Sequence, residues 1–368
     1  VKHVFVCIVT VLVSYLLSIS SIAAADNAYE RRIFNFSLFG SISTNGVDSP
    51  RILNHAAFGL LGNSAAQVAG FQLALGINSI ENQLWGVQLT PLANLVWGSS
   101  SGMQISLFNY SGRGENLMQA GFVNLIQETV RNTAQLGLLN VAQEKSTEIL
   151  QIGVVNYGSD QGIGLQAGYL NISGSGMGGQ MGFLNIAKET KDQVGFVNLS
   201  GEFKGSKAGL VNIGVDAGGT TYGFLNLIQH GQFKMEYSLS SRAYTLLALH
   251  HGSKRTYTSY FVGQRRGLTL TGRLPGQRRI LGLGFGVAFP QDFARFEVAV
   301  MKRVSSDCDK TFLLRFLREH SFGKTAIAMG LDYEATRPGR CSPLQDVDPK
   351  FWYQQLGLTF GFNFDVFR

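Results

Sequence analysis

The chain has 368 residues, with 45 Gly but only 7 Pro, 15% charged residues and a formal net charge of +7. Gly at about 12%, against a usual ~7%, without a Gly-X-Y period excludes collagen. The abundance of Phe, Val, Leu and Ile excludes disorder. What remains is a β-rich protein with many tight turns in a sheltered or membranous setting. The charge is uneven: from Phe233 onward there are 20 Lys+Arg and 11 Asp+Glu. Pairs such as Arg265-Arg266 and Arg278-Arg279 are isolated, as expected of loop and rim charges, so no nucleic-acid partner is expected.

At the start, Lys2-His3 precedes an almost continuously apolar run from Val4 to Leu17, and Ala23-Ala24-Ala25 offers small residues before Asp26. The expectation is a secretory signal peptide over 1–25. The run is shorter than the ~20 residues a helical span needs. Nothing later approaches 18 consecutive apolar residues, so any entry into a membrane is expected through a closed β-barrel. Cys308 and Cys341 both lie in polar, turn-like stretches, and in an oxidising compartment they are expected to pair.

Residues 26–50 read as an entry strand, with Phe34, Phe36 and Leu38 alternating against Asn35, Ser37 and Phe39, then a turn-rich stretch. A repeat follows over 51–231. Clear copies are Gln119-Ala-Gly-Phe-Val-Asn124-Leu, Gln135-Leu-Gly-Leu-Leu-Asn140-Val, Gln151-Ile-Gly-Val-Val-Asn156-Tyr, Gln180-Met-Gly-Phe-Leu-Asn185-Ile and Gln193-Val-Gly-Phe-Val-Asn198-Leu. The Asn recurs every 13 to 16 residues from Asn63 to Asn226, and from Asn124 onward Gly always stands three residues before it. Lys207 and Thr221 replace Gln in the last two copies, and the first three copies are degraded, as terminal repeats often are. Helix is excluded as the repeat unit: no 3.6 period is sustained, and a Gly in every element would cost about 1 kcal/mol each.

A one-unit period favours a parallel β-solenoid, in which each copy is one coil. An antiparallel meander or a single outer-membrane β-barrel would place only every second unit in the same environment, and remains the alternative. In a solenoid, Asn124, Asn140, Asn156, Asn171, Asn185, Asn198, Asn212 and Asn226 would stack as a ladder of hydrogen-bonded amides. Strict alternation puts Phe122 and Asn124 on one face and Gln119, Gly121, Val123 and Leu125 on the other, so both faces carry apolar residues. One face would form the core. The other would need a cover: the C-terminal domain, a partner or lipid. The Gly would let a neighbouring backbone approach closely.

Residues 232–368 change character. Strands are expected at Lys234–Ser240, Ala243–His250, Thr256–Gly263, Leu268–Arg273, Leu281–Phe289, Phe293–Val304, Thr311–Arg318, Thr325–Glu334 and Tyr353–Phe367. Leu281, Leu283, Phe285, Val287 and Phe289 alternate with small residues, and Leu358, Phe360, Phe362, Phe364 and Val366 alternate with Thr359, Gly361, Asn363 and Asp365. That is the pattern of a membrane-barrel strand, though an ordinary antiparallel sheet over the solenoid end also fits. Lys254-Arg-Thr and Leu313-Leu-Arg-Phe-Leu-Arg318 are less regular than a clean barrel prefers.

The Gly-Φ-Φ-Asn units (Φ apolar), the entry Asn35-Phe-Ser-Leu-Phe-Gly-Ser-Ile-Ser-Thr-Asn-Gly46, the exit His230-Gly-Gln-Phe-Lys-Met-Glu236 and the later Gly252-Ser-Lys-Arg-Thr-Tyr257 together resemble the bacterial surface repeat-containing proteins. The resemblance covers about residues 35–310 and departs from the pattern in the first copies. It implies a location at the bacterial surface or outer membrane, with a surface or outer-membrane component as partner, and carries no catalytic residues over.

No Ser/His/Asp set, metal-protease motif or phosphate loop occurs. Gly174-Ser-Gly176-Met-Gly-Gly179 matches a dinucleotide fingerprint but precedes another β unit where a helix is required. His250 and His251 are adjacent on a strand and point to opposite faces, which argues against a shared metal. A polysaccharide-active β-helix enzyme would need a recurring carboxylate pair that the turns lack. The expectation is a non-catalytic exported protein with a structural or interaction role and no cofactor or metal. An integral barrel whose strands are the repeats, with a channel or transport role, is the alternative.

Overall fold

A computed structural model describes residues 30–40, 42–46, 52–128, 130–143, 146–159, 163–175, 178–216, 218–241, 244–265, 268–269, 272–273, 278–289, 294–303, 310–322, 324–337 and 353–365. The expected signal peptide and both Cys308 and Cys341 lie outside them. The chain divides into two compact units, Val1–Thr190 and Lys191–Arg368.

The first unit holds β1 (Glu30–Phe39), β2 (Ile42–Ser43), β3 (Ile52–Gly59), β4 (Gly62–Ala74), β5 (Ile77–Leu89), β6 (Ala93–Ile105), β7 (Phe108–Ala120), β8 (Val123–Ile126), β9 (Val130–Ala142), β10 (Ser146–Gly158), β11 (Ile163–Ser175) and β12 (Gly179–Thr190). Apart from the short β1–β2 ribbon, neighbouring strands pair in parallel and in repeat register. Gln151 sits beside Gln135 and Gln166, and Asn156 beside Asn140 and Asn171. This is the parallel, solenoid-like stack that the one-unit period favoured.

Two buried amide ladders run through it. Each Asn Nδ2 donates forward to the next Asn Oδ1: Asn124 to Asn140 at 2.8 Å, Asn140 to Asn156 at 2.9 Å, Asn156 to Asn171 at 2.8 Å and Asn171 to Asn185 at 2.8 Å. Its second proton goes to a backbone carbonyl of the following coil, as from Asn156 to Ala167 O at 3.0 Å. The Gln ladder runs the opposite way. Gln151 Nε2 donates back to Gln135 Oε1 at 2.8 Å, and Gln166 back to Gln151 at 2.8 Å. The other Gln proton reaches a carbonyl of its own coil, Tyr157 O for Gln151 at 3.1 Å. Both donors of each amide are therefore used, and the amide dipoles of one column oppose those of the other.

The two faces expected from strict alternation do not exist. Gln151 and Asn156 are five residues apart, yet both are fully buried, because the chain turns a corner at the intervening Gly-Φ. The apolar residues of the phrase point outward instead: Phe122 is 57% exposed, Tyr169 61%, and Leu138, Val154 and Phe183 about as much. The entry strand follows the same rule, with Asn35 and Ser37 buried and Phe34, Phe36 and Leu38 exposed. Apolar burial is confined to the other arc of the coil, where Leu117, Ile126, Ala142 and Ile149 cluster. The corner requires glycine. A Cβ on Gly153 would lie 2.2 Å from Gly137 O and 2.6 Å from Asn140 Nδ2.

The second unit begins with three more coils, β13 (Asp192–Phe203), β14 (Ser206–Asp216) and β15 (Thr220–Gln229). Asn198, Asn212 and Asn226 form an Asn ladder within this unit, at 2.8 and 2.7 Å. Pairing then changes from parallel to antiparallel. Strands β16 (Gln232–Ser240), β17 (Tyr244–Gly252), β18 (Thr256–Arg265), β21 (Arg278–Ala288), β22 (Ala294–Arg303), β23 (Lys310–Phe322), β24 (Thr325–Arg337) and β25 (Tyr353–Asp365) close an eight-stranded barrel, with β25 paired to β16. The run at Leu268–Arg273, expected as one strand, is a small hairpin of β19 (Leu268–Thr269) and β20 (Gly272–Arg273) outside the barrel. The repeats supply no barrel strand, which overturns the single-barrel alternative for the chain.

Lys207 occupies the Gln column and is fully buried. Its Nζ donates to Ile213 O at 2.6 Å, the carbonyl position a Gln would use, and lies 4.9 Å from the Phe203 ring centroid. Burial pushes this ammonium down to about 7. Unfolded lysine titrates near ~10.4, so between about pH 7 and 10 the unfolded chain binds more protons than the folded one, and stability rises with pH across that window. Below pH 7 both states carry the proton and the cost of burying the charge is present in full. Melting temperatures of the purified protein at pH 6.5 and 9.5 are expected to show this rise, and Lys207→Gln to raise stability at pH 6.5 and flatten the profile. For the ladder, Asn156→Ala is expected to cost about 1–3 kcal/mol through orphaned buried amides, read as a lower urea midpoint. Val154→Thr on the exposed corner is expected to stay within about 0.5 kcal/mol.

Candidate functional site

Burial alternates along the barrel strands, in the reverse of a soluble protein's pattern, except where β17 and β18 meet the last coil. Tyr237, Leu247, Val262, Leu283, Val300, Phe316, Met329, Leu358 and Phe362 face outward and are exposed. Glu236, His250, Arg295, Glu297, Arg315, Glu319 and Asn363 face inward and are buried. On β25 the outward row runs from Leu356 to Phe364, nine residues, and a strand needs about 9–11 to cross a bilayer. The small residues opposite the apolar row make room for rings in the lumen. A Cβ on Gly286 would lie 2.1 Å from the Tyr257 ring, and one on Gly284 2.9 Å from Phe261.

The lumen holds ion pairs drawn from β16, β22 and β23, with His250 of β17 beside them. Arg315, 1% exposed, donates Nη2 to Glu236 Oε1 and Nη1 to Glu297 Oε2 at 3.0 Å. Arg295 pairs with Glu236 and, at 3.1 Å, with Glu319 Oε1. Lys234 Nζ reaches Glu319 Oε2 at 3.4 Å. His250 Nε2 lies 3.1 Å from Glu236 Oε2, and its Nδ1 lies 2.7 Å from Ser259 Oγ. At this level three carboxylates thus face two guanidiniums and an ammonium, the pairing that buried charges require, and Asp332 and Glu334 of β24 are buried as well. Arg315 also lies over the Phe261 ring at 5.9 Å. Next to this layer Leu246, Ala248, Phe261, Ile280, Ala299, Met301 and Leu313 form an apolar plug. Eight strands leave an interior that side chains fill, and at these levels they do.

The two adjacent histidines are separated by the barrel wall, as strand alternation predicts. His250 is luminal, whereas His251 points outward, where its Nδ1 accepts from Asn226 N at 3.1 Å. That outer patch on β17 and β18 is polar because it caps the last coil. Thr256 Oγ1 accepts from Thr221 N at 2.8 Å and donates to Thr221 O at 3.0 Å. Thr258 Oγ1 donates to Gly223 O at 2.6 Å and accepts from Asn226 Nδ2 at 3.0 Å. Tyr260 OH donates to Phe224 O. The Asn ladder of the second unit therefore ends on a barrel threonine.

At the rim where β16 begins, a cavity of about 1410 Å³ is lined by Lys234, Lys254, Arg255, Lys324 and Asp365 on its polar side and by Tyr222, Leu227, Val287 and Phe289 on its apolar side. At the opposite rim, Lys310 pairs with both Lys302 and Arg337, so the strand ends that flank Cys308 and Cys341 share one end of the barrel. Among the described residues no group of three or more His, Cys, Asp or Glu is arranged to hold a metal.

The eight ladder asparagines named from the sequence all lie in the buried column. The Gln column, the luminal ion pairs and the Thr256–Thr258–Tyr260 cap were not named. The Gln column had a visible signal, recurrence five residues before Asn. The luminal charges did not, because each stands alone in its strand and Glu236 meets Arg315 across 79 residues.

Arg315→Met is expected to leave Glu236 and Glu297 short of a buried partner and to cost about 3–5 kcal/mol, measured by urea unfolding in detergent. The double variant Glu297→Gln/Arg315→Met, which leaves Glu236 and Glu319 facing Arg295 and Lys234, is expected to recover most of that loss. No family model, curated protein or solved structure matches the chain.

Proposed function

We propose that this chain is a non-catalytic, exported protein of a bacterial outer membrane or surface, in which the β16–β25 barrel is a membrane anchor for the β-coil array. The observation that carries this reading is the inverted barrel: a closed ring of eight strands with an apolar exterior and charge-paired interior. Water would drive those apolar side chains inward, at roughly 25 cal/mol per Å². Lipid leaves them in place, and full closure removes the unpaired strand edges that hydrocarbon cannot satisfy. Among the described residues no helix is long and apolar enough to cross a membrane, so the barrel is the element suited to anchoring.

The filled lumen favours an anchor over a conduit, and Glu236, Glu297 and Glu319 are engaged in ion pairs, which favours a structural role for them over acid–base chemistry. The resemblance of the repeat and its flanks to surface repeat-containing proteins agrees with this location, and the coils are then the structural or interaction module. The test is electrophoretic. Detergent-extracted protein, loaded in SDS without heating, is expected to run as a compact band that shifts on boiling, and the protein is expected to stay with membranes through an alkaline carbonate wash. Protein that remains monomeric in aqueous buffer without detergent would contradict the anchor.

A further inference from the structure

We infer that the Gly-Φ corner of coils β13, β14 and β15 is itself a lipid-contacting edge, seated in the acyl layer of the leaflet beside the barrel. This rests on the barrel being a membrane anchor. Three observations carry it. First, the coil is inverted. Its phrase half buries Gln and Asn amides and leaves the bulky apolar residues outside, as with Val194, Phe196 and Leu210 in β13 and β14. An edge immersed in water would have no reason to present bulky apolar residues coil after coil, in register. Second, the opposite arc of the same coils is polar and exposed, with Glu202 and Lys204 in the second unit and Lys188 and Glu189 in the first. Each coil is therefore amphipathic edge to edge, the arrangement that places an element at a bilayer interface with its apolar side buried by ~5–10 Å.

Third, the apolar edge is continuous with the barrel exterior. Phe224 at the corner of β15 packs against Tyr260 on the outside of β18, ring centroids 5.2 Å apart. Tyr222 stacks on Phe285 on the outside of β21 at 5.4 Å. The coil edge thus meets the barrel's outer wall through these ring contacts, beside the polar threonines that cap β15. This continuity selects lipid as the occupant over a second copy of the chain, because a protein cover would have to extend onto the barrel's acyl-facing wall. The same corner recurs in the first unit as Val154, Tyr169 and Phe183, where Tyr169 and Phe183 stack in parallel at 4.9 Å.

The test uses the full chain with Cys7→Ser, Cys308→Ser and Cys341→Ser, reconstituted in vesicles of bacterial phospholipid. Single nitroxide labels are introduced through Phe196→Cys, Leu210→Cys, Glu202→Cys, Lys204→Cys and, as barrel reference, Phe360→Cys. All five sites are exposed, and retention of the heat-shifted band checks folding of each. Collision with oxygen, which concentrates in acyl chains, is compared with collision with a water-soluble nickel chelate. The labels at 196 and 210 are expected to favour oxygen as strongly as the one at 360, and those at 202 and 204 to favour nickel by about tenfold. If 360 favours oxygen while 196 and 210 favour nickel, the barrel is anchored and the coil edge lies in water, which overturns the inference. If 196 and 210 collide poorly with both, protein covers the edge and the inference is again overturned. If 360 itself favours nickel, the anchor reading fails and this one with it.

Discussion

Everything in the coil array follows from amides that must find partners away from water. A buried primary amide offers two donors and one carbonyl acceptor, and each unmet group costs about 1–3 kcal/mol. Identical residues on consecutive coils meet this demand only when the strands are parallel, in register and one strand spacing apart. Asn156 and Gln151 impose the requirement twice, in opposite directions. Because one column donates forward and the other backward, their dipoles cancel while each chain of hydrogen bonds reinforces itself. Placing both columns inside a thin coil leaves little space for large apolar groups there. They are turned outward at the glycine corner, and the surface of the array becomes apolar as a consequence of how its interior is satisfied.

A stack of parallel strands ends in an open edge, which invites further pairing. In the second unit that edge is closed by the wall of the barrel, not by a terminal polar repeat. Thr256, Thr258, Tyr260 and His251 interrupt the barrel's apolar exterior where β15 docks, and they meet its backbone groups directly. The substitutions at the end of the Gln column belong to the same transition. Lys207 replaces the amide one coil earlier, and Thr221 Oγ1 accepts from Ser253 N beside the cap at 3.1 Å. The barrel repeats the logic of the coils with charges in place of amides: polar groups satisfied inside, apolar groups outside.

Much of this was legible in the residues. The spacing of Asn63 to Asn226 favoured parallel stacking, and the runs 281–289 and 358–366 read as alternating strands that fitted either a membrane barrel or an ordinary antiparallel sheet. The ladder and the close approach at glycine were readable because a repeat reports the same environment many times. The side on which the ladder lies was not readable by alternation, since parity assumes a straight strand and each coil bends between Gln and Asn. The irregular run Leu313–Arg318 weakened the barrel reading for the same reason that it matters: Arg315 is the inward charge that joins Glu236 to Glu297. Partners supplied by strands far apart in sequence leave no periodic trace.

The central claim, that the amides of Gln151 and Asn156 are inside and the apolar residues between them outside, is open to one direct measurement. In protein labelled with ¹⁵N at Asn and Gln side chains and reconstituted in vesicles, hydrogen exchange of the carboxamide protons can be followed by solid-state NMR. Ladder amides are expected to stay protonated in deuterated buffer for hours, while an exposed amide such as Asn132 exchanges at once. Rapid exchange across the ladder positions would place those amides in water and contradict the account.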